Sequence, residues 1–116
     1  MKTKIILILL LFISNAEVFS QNKKTAEIKI QTSAECDQCK KKIESNLVYE
    51  KGVKFCSLDV PSKVLVVKYN SEKTSPEKIK LALSKLGYDA DEIKADSSAY
   101  SNLPACCKKG GTDHHD

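Results

Sequence analysis

Thr32-Ser33-Ala34-Glu35-Cys36-Asp37-Gln38-Cys39 lies at a change of period, and that change decides the fold. Before it, from Thr25 to Thr32, Ala26, Ile28 and Ile30 alternate with Glu27, Lys29 and Gln31, the pattern of a strand with one buried face. After it, from Cys39, Ile43 and Leu47 recur four apart while Lys40, Lys41, Lys42, Glu44 and Lys51 occupy other faces, so a helix is predicted to end near Glu50 with Gly52 at its C′ position. The two thiols therefore sit where a loop enters a helix. Free N–H groups and the positive end of the helix dipole favour a thiolate there, and the three lysines add positive charge. Thiolate is both nucleophile and metal ligand, so the pair alone serves soft-metal capture and disulfide exchange equally.

The order of the remaining elements separates those two uses. Val53 to Val60 alternates again, with Cys56, Leu58 and Val60 on one face and Phe55, Ser57 and Asp59 on the other. Pro61-Ser62-Lys63 makes a turn, and Val64 to Tyr69 returns with Leu65, Val67 and Tyr69 facing inward, which leaves Lys68 outward. Ser75 is a good N-cap, Pro76 fits the first helical position and Glu77 the first turn; Ile79, Ala82, Leu83 and Leu86 form one apolar face, and Gly87 ends the helix. Tyr88 to about Lys94 reads as a short last strand. The order β-α-β-β-α-β predicts an α+β, ferredoxin-like sandwich: a four-stranded antiparallel sheet with two helices on one face. A thioredoxin-like domain needs more chain and another order, which favours metal handling over dithiol oxidoreductase work.

Residues 1–20 have the pattern of a secretory signal peptide. Lys2 and Lys4 precede a nine-residue apolar run, Ile5 to Ile13, too short to span a bilayer, and Val18-Phe19-Ser20 supplies the small residue for cleavage before Gln21, with Ala16 as the second choice. The expected organisation is a signal peptide at 1–20, one domain at 21–96 and a flexible tail at 97–116, the product being periplasmic or secreted. The chain has no Arg, and its Lys and acidic residues are interspersed, so it lacks the bidentate phosphate forks of a nucleic-acid binder. Five Cys in an exported chain suggest disulfides. The count is odd, however, and four of the five fall in close pairs, Cys36/Cys39 and Cys106/Cys107, that would staple almost nothing; ligand or redox use is the better reading. Cys56 shares a face with Leu58 and Val60 and reads as core.

Glu35-Cys36-Asp37-Gln38-Cys39, followed by Ile43, Leu47 and Gly52-Val53 and later by Ser75-Pro76-Glu77 and Leu86-Gly87-Tyr88-Asp89-Ala90, resembles the heavy-metal-associated domain over about residues 25 to 95. That group includes copper chaperones, the N-terminal modules of metal-pumping ATPases and the periplasmic mercury-binding protein. The resemblance implies that Cys36 and Cys39 hold one thiophilic ion, Cu(I), Hg(II) or Zn(II), in a surface loop that Tyr88 approaches from the far end of the fold. It also implies a monomer whose partners are the ion and a metal-transport or efflux protein. The sequence departs from the family twice. Ser33 and Ala34 replace the usual Gly-Met, which leaves the loop less anchored, and Glu35 stands where copper and mercury carriers have Thr or Ser. A carboxylate beside the ligands suits a harder divalent ion such as Zn(II), and zinc-pumping ATPases of the family carry an acid there; solubility or loop conformation explains it equally. In the tail, Cys106, Cys107, His114 and His115 are candidates for a secondary site, or for passing metal to the first. The expected function is a non-catalytic periplasmic metal scavenger or carrier; the alternative is a small thiol-disulfide oxidoreductase using the same pair.

Overall fold

A computed structural model describes residues 24–109. The region read as a signal peptide and the two histidines lie outside them. Three strands form an antiparallel sheet in the order β1-β3-β2: β1 is Thr25–Gln31, β2 is Val53–Asp59 and β3 is Val64–Asn70. The helices are α1 (Asp37–Leu47), α2 (Pro76–Lys85) and a short α3 (Ser97–Ser101), followed by a 3₁₀ turn, Ala105–Cys107.

Registry follows from the alternation. Ile28 and Ile30 lie opposite Val67 and Leu65, and across the other edge of β3 Cys56 and Leu58 face the same two residues. Leu65, Val67 and Tyr69 point inward as expected, and with Ile30 and Leu58 they meet Ile43 and Leu47 of α1 and Ile79 and Leu83 of α2 in one core. Each such fully buried aliphatic side chain contributes about 1.5–3 kcal/mol. Glu27, Lys29, Phe55 and Lys68 are exposed on the opposite face, where the Lys68 ammonium sits 5.7 Å from the Phe55 ring centroid.

Helix ends show which local signals held. Ser75 accepts the Lys78 N–H and Pro76 opens α2. At its other end Gly87 has φ +108°, its N–H reaches the Ser84 carbonyl and the Tyr88 N–H reaches Leu83, the paired bonds of a Schellman cap. The first helix differs from expectation. It ends at Leu47, and Gly52 is not its C′ residue: with φ +84° it completes a separate turn into β2, after the Glu50 carbonyl has accepted the Val53 N–H.

Two expectations are corrected. No fourth strand forms among the described residues. Ala90 makes single bridges to Thr32 and Ile93, and Asp91, at φ +52°, turns the chain back at once while its carboxylate accepts the Gln31 N–H at 2.8 Å. Asp tolerates that left-handed conformation, so a tight turn satisfies the edge of β1 where a strand was expected. Nor is the chain a mobile tail from Ser97. Asp96 caps α3 by accepting the Ala99 N–H, and Leu103 and Cys107 are both buried in the common core. No described helix is long and apolar enough to cross a membrane.

Candidate metal centre

The loop from β1 to α1 is held by polar bonds at the positions where sequence reasoning expected loss of anchorage. Thr32 donates both its N–H (2.9 Å) and its hydroxyl (2.8 Å) to the Lys63 carbonyl, and its hydroxyl oxygen accepts the Ala34 N–H. Ser33 accepts the Asp89 N–H at 2.9 Å, which ties the loop to the segment after α2, while Ala34 is fully buried. Glu35 does not depend on a metal for a partner: its carboxylate lies 2.8 Å from the Lys63 ammonium. Lys40 is likewise engaged, bonded to Glu44 at 2.6 Å and to the Leu58 carbonyl at 2.9 Å, while Glu44 accepts the Leu58 N–H. It fastens α1 to β2.

Cys36 occupies the N-cap of α1 and Cys39 its first turn. Their sulfurs are 3.3 Å apart; Cys36 is half-buried and Cys39 is fully buried, so only the first is the surface group that was expected. Burial alone would push the Cys36 thiol up, but the Cys39 N–H and the neighbouring thiols of Cys106, Cys39 and Cys107 favour its ionised form, and the balance leaves it below the ordinary thiol value.

The tail pair comes to the same place. Cys107 Sγ lies 3.7 Å from Cys36 Sγ, Cys106 Sγ lies 3.9 Å from Cys107 Sγ, and the three sulfurs are all within 4.8 Å of one another. They lie beside the first pair instead of forming a separate site; His114 and His115 fall outside the described residues. Cys106 donates to the Gln38 side-chain oxygen at 2.8 Å. Its thiol is raised, first by the neighbouring Cys36 sulfur, while burial pushes the Cys107 thiol well above the usual range. Cys56 stands apart: burial and the Glu44 carboxylate push its thiol up to about 11, and it faces the Glu44 carbonyl from the core.

Tyr88 is fully buried, and its hydroxyl makes no hydrogen bond of good geometry among the described residues. Burial pushes its phenol far up, and the groups that touch it electrically are the Cys107 and Cys39 thiols. Gln38 and the Lys109–Asp89 pair (2.6 Å), which ties down the end of the described chain, were not singled out from sequence, and Ser33 was read there as a loss of anchorage. No spacing rule marks them, since each acts across the fold. The assembled chemistry is a patch of soft, reduced sulfur at a helix N-terminus, fit to take a thiophilic ion.

Comparison with known proteins agrees with this chemistry. The heavy-metal-associated domain profile matches residues 32–89, half of the chain. Copper-transporting ATPase 1 of Mus musculus is 36% identical over 64 residues, which cover 55% of this chain but only 4% of the ATPase. Among solved structures, a CopZ metallochaperone superposes with a TM-score of 0.54 at 24% identity, covering 56% of this chain and 98% of its own. Oxidized MerP from Ralstonia metallidurans CH34 gives 0.55 at 20% identity, covering 58% and 94%. At those identities the two structures support the fold alone.

Proposed function

The chain belongs to the heavy-metal-associated domain family, and from that premise we propose that it is an exported, non-catalytic carrier or scavenger of one thiophilic ion held by Cys36 and Cys39. The observation that carries this reading is the 3.3 Å approach of two reduced sulfurs at the start of α1, one of them accessible and disposed to ionise. Cu(I), Hg(II) and Zn(II) all suit thiolate ligands. Copper has the support of the relative named for copper transport, which also makes a metal-transport protein the natural partner of a monomeric carrier. Release into the periplasm or beyond the cell rests on the basic start and short apolar run of residues 1–20.

The test is titration of the reduced protein with each ion under native mass spectrometry. One equivalent is expected, absent after Cys36→Ser with Cys39→Ser, in a chain whose circular dichroism is unchanged. An equivalent that survives both changes places the main site elsewhere. Because protons compete for the same sulfurs, occupancy falls on acidification. The oxidoreductase alternative is separated by insulin reduction, in which this protein is expected to be inactive.

A further inference from the structure

Segment 97–109 folds back as a lid over the loop that carries Cys36. Leu103 seats it in the core, against Gly87: a Cβ at Gly87 would stand 3.1 Å from Leu103 Cγ and 3.0 Å from the Ala99 carbonyl oxygen, so the lid packs where the glycine has no side chain. Its end is tied twice, by Lys109 Nζ to Asp89 at 2.6 Å and by the Lys109 N–H to the Tyr100 hydroxyl at 2.9 Å. Between these anchors the 3₁₀ turn presents Cys106 and Cys107 to the first pair.

The spacing of the sulfurs is informative. Zinc–thiolate bonds of about 2.3 Å at tetrahedral angles set neighbouring sulfurs about 3.8 Å apart. The Cys36–Cys107 and Cys106–Cys107 separations are 3.7 and 3.9 Å, and the sulfurs of Cys36, Cys106 and Cys107 form one cluster within 4.8 Å; Cys39 lies outside that cluster, 3.3 Å from Cys36, and joins the site only by a shift of its side chain. A two-coordinate ion needs its two sulfurs on opposite sides and has no use for a third or fourth. A buried cysteine is often only a small apolar residue, as Cys56 is. Cys107 differs because its neighbours are other thiols and the Tyr88 hydroxyl, a fully buried donor without a bond of good geometry that faces the Cys39 and Cys107 sulfurs. Such a donor acquires a strong acceptor when those sulfurs lose their protons to a metal.

We propose that Cys106 and Cys107 complete, with Cys36 and Cys39, a single tetrathiolate site for a tetrahedral d¹⁰ divalent cation such as Zn(II) or Cd(II), the lid supplying the second pair. The proposal rests on the Cys36–Cys39 reading above and goes beyond it in ligand number and in the class of ion. It makes the lid part of the binding event: the ion ties residues 106 and 107 to α1, and release requires the lid to lift.

Co(II) serves as the probe, since its thiolate charge-transfer absorbance grows with the number of sulfurs bound. The full chain is expected to take one Co(II). The Cys106→Ser, Cys107→Ser chain should still take one, with charge-transfer intensity reduced to roughly half and Cd(II) affinity lowered about tenfold or more. Cys106→Ser alone, at a site less buried than Cys107, should remove about a quarter of the intensity and keeps the test valid if the double variant folds poorly. Unchanged intensity and affinity in both variants, or two independent equivalents on the full chain, would overturn the shared site while leaving Cys36 and Cys39 as ligands. Retention of the ion by the Cys36→Ser, Cys39→Ser chain instead removes the premise, and the shared site with it.

Discussion

The Cys36 and Cys107 sulfurs, 71 residues apart in the chain, lie 3.7 Å from each other. The first is placed by the N-cap geometry of α1, the second by a turn that ends a segment packed on Gly87. Besides the contact between them, each position has anchors of its own. The loop has its own bonds through Thr32 and Ser33, and the lid has Leu103 and the Asp89–Lys109 pair. Their meeting is a property of the folded framework, present before any ion binds.

Cysteine reactivity checks that framework directly. Cys36 is accessible and its thiol lies below the ordinary value, whereas Cys56 is buried with its thiol at about 11. At neutral pH a thiol at that value is roughly one part in ten thousand thiolate, the only form that reacts. Alkylation of the native reduced protein, followed by peptide mass spectrometry, should label Cys36 at least about a hundredfold faster than Cys56. Equal rates would mean that β2 is displaced by one residue, which would turn its whole face over.

Much of this was legible in the chain. The alternations of β1, β2 and β3 and the signals Ser75, Pro76 and Gly87 act within a few residues, so they read directly as strands and as α2. The placement of Cys36 and Cys39 where a loop enters a helix was legible for the same reason. The missing fourth strand was not, because Tyr88 and Ala90 alternate as a strand would and only the left-handed turn at Asp91 stops them. The lid was hidden by composition: Ser, Pro and small residues suggest disorder, yet Leu103 and Cys107 find partners 16 or more positions away, against Gly87 and Cys36. Contacts of that kind carry no local pattern.

The lid should also respond to acid. Burial would push the Asp89 carboxyl up, but Lys109 and the Ala95 N–H outweigh that, and its value in the folded chain is lowered. A carboxyl lowered on folding stabilises the folded form above its unfolded value, near pH 4, and the contribution is lost as pH falls through the folded value. Hydrogen exchange across 97–109, corrected for intrinsic rates, should therefore rise several-fold near pH 3 relative to α1 and α2. Asp89→Asn keeps an oxygen for the Ala95 N–H but loses the charge, and should show the same rise already at pH 7. If the variant's lid exchanges as slowly as the original at pH 7, the Lys109 contact does not hold it.

Tyr88→Phe should lower metal affinity without lowering metal-free stability. The hydroxyl is buried without a good hydrogen bond in the metal-free protein, and leaving such a group unsatisfied costs about 1–3 kcal/mol. Removing it should leave metal-free stability unchanged or raise it by about 1 kcal/mol in denaturant unfolding. With the ion bound, the neighbouring Cys39 and Cys107 sulfurs are thiolates, and the hydroxyl gains a charged acceptor. A hydrogen bond to a charged group contributes about 1.5–3 kcal/mol, so Cd(II) affinity should fall by about tenfold or more. The paired unfolding curves, with and without Cd(II), decide it. A loss of stability without the ion would show that the hydroxyl is already satisfied in the free protein, and an unchanged affinity would show that it never reaches the bound sulfurs.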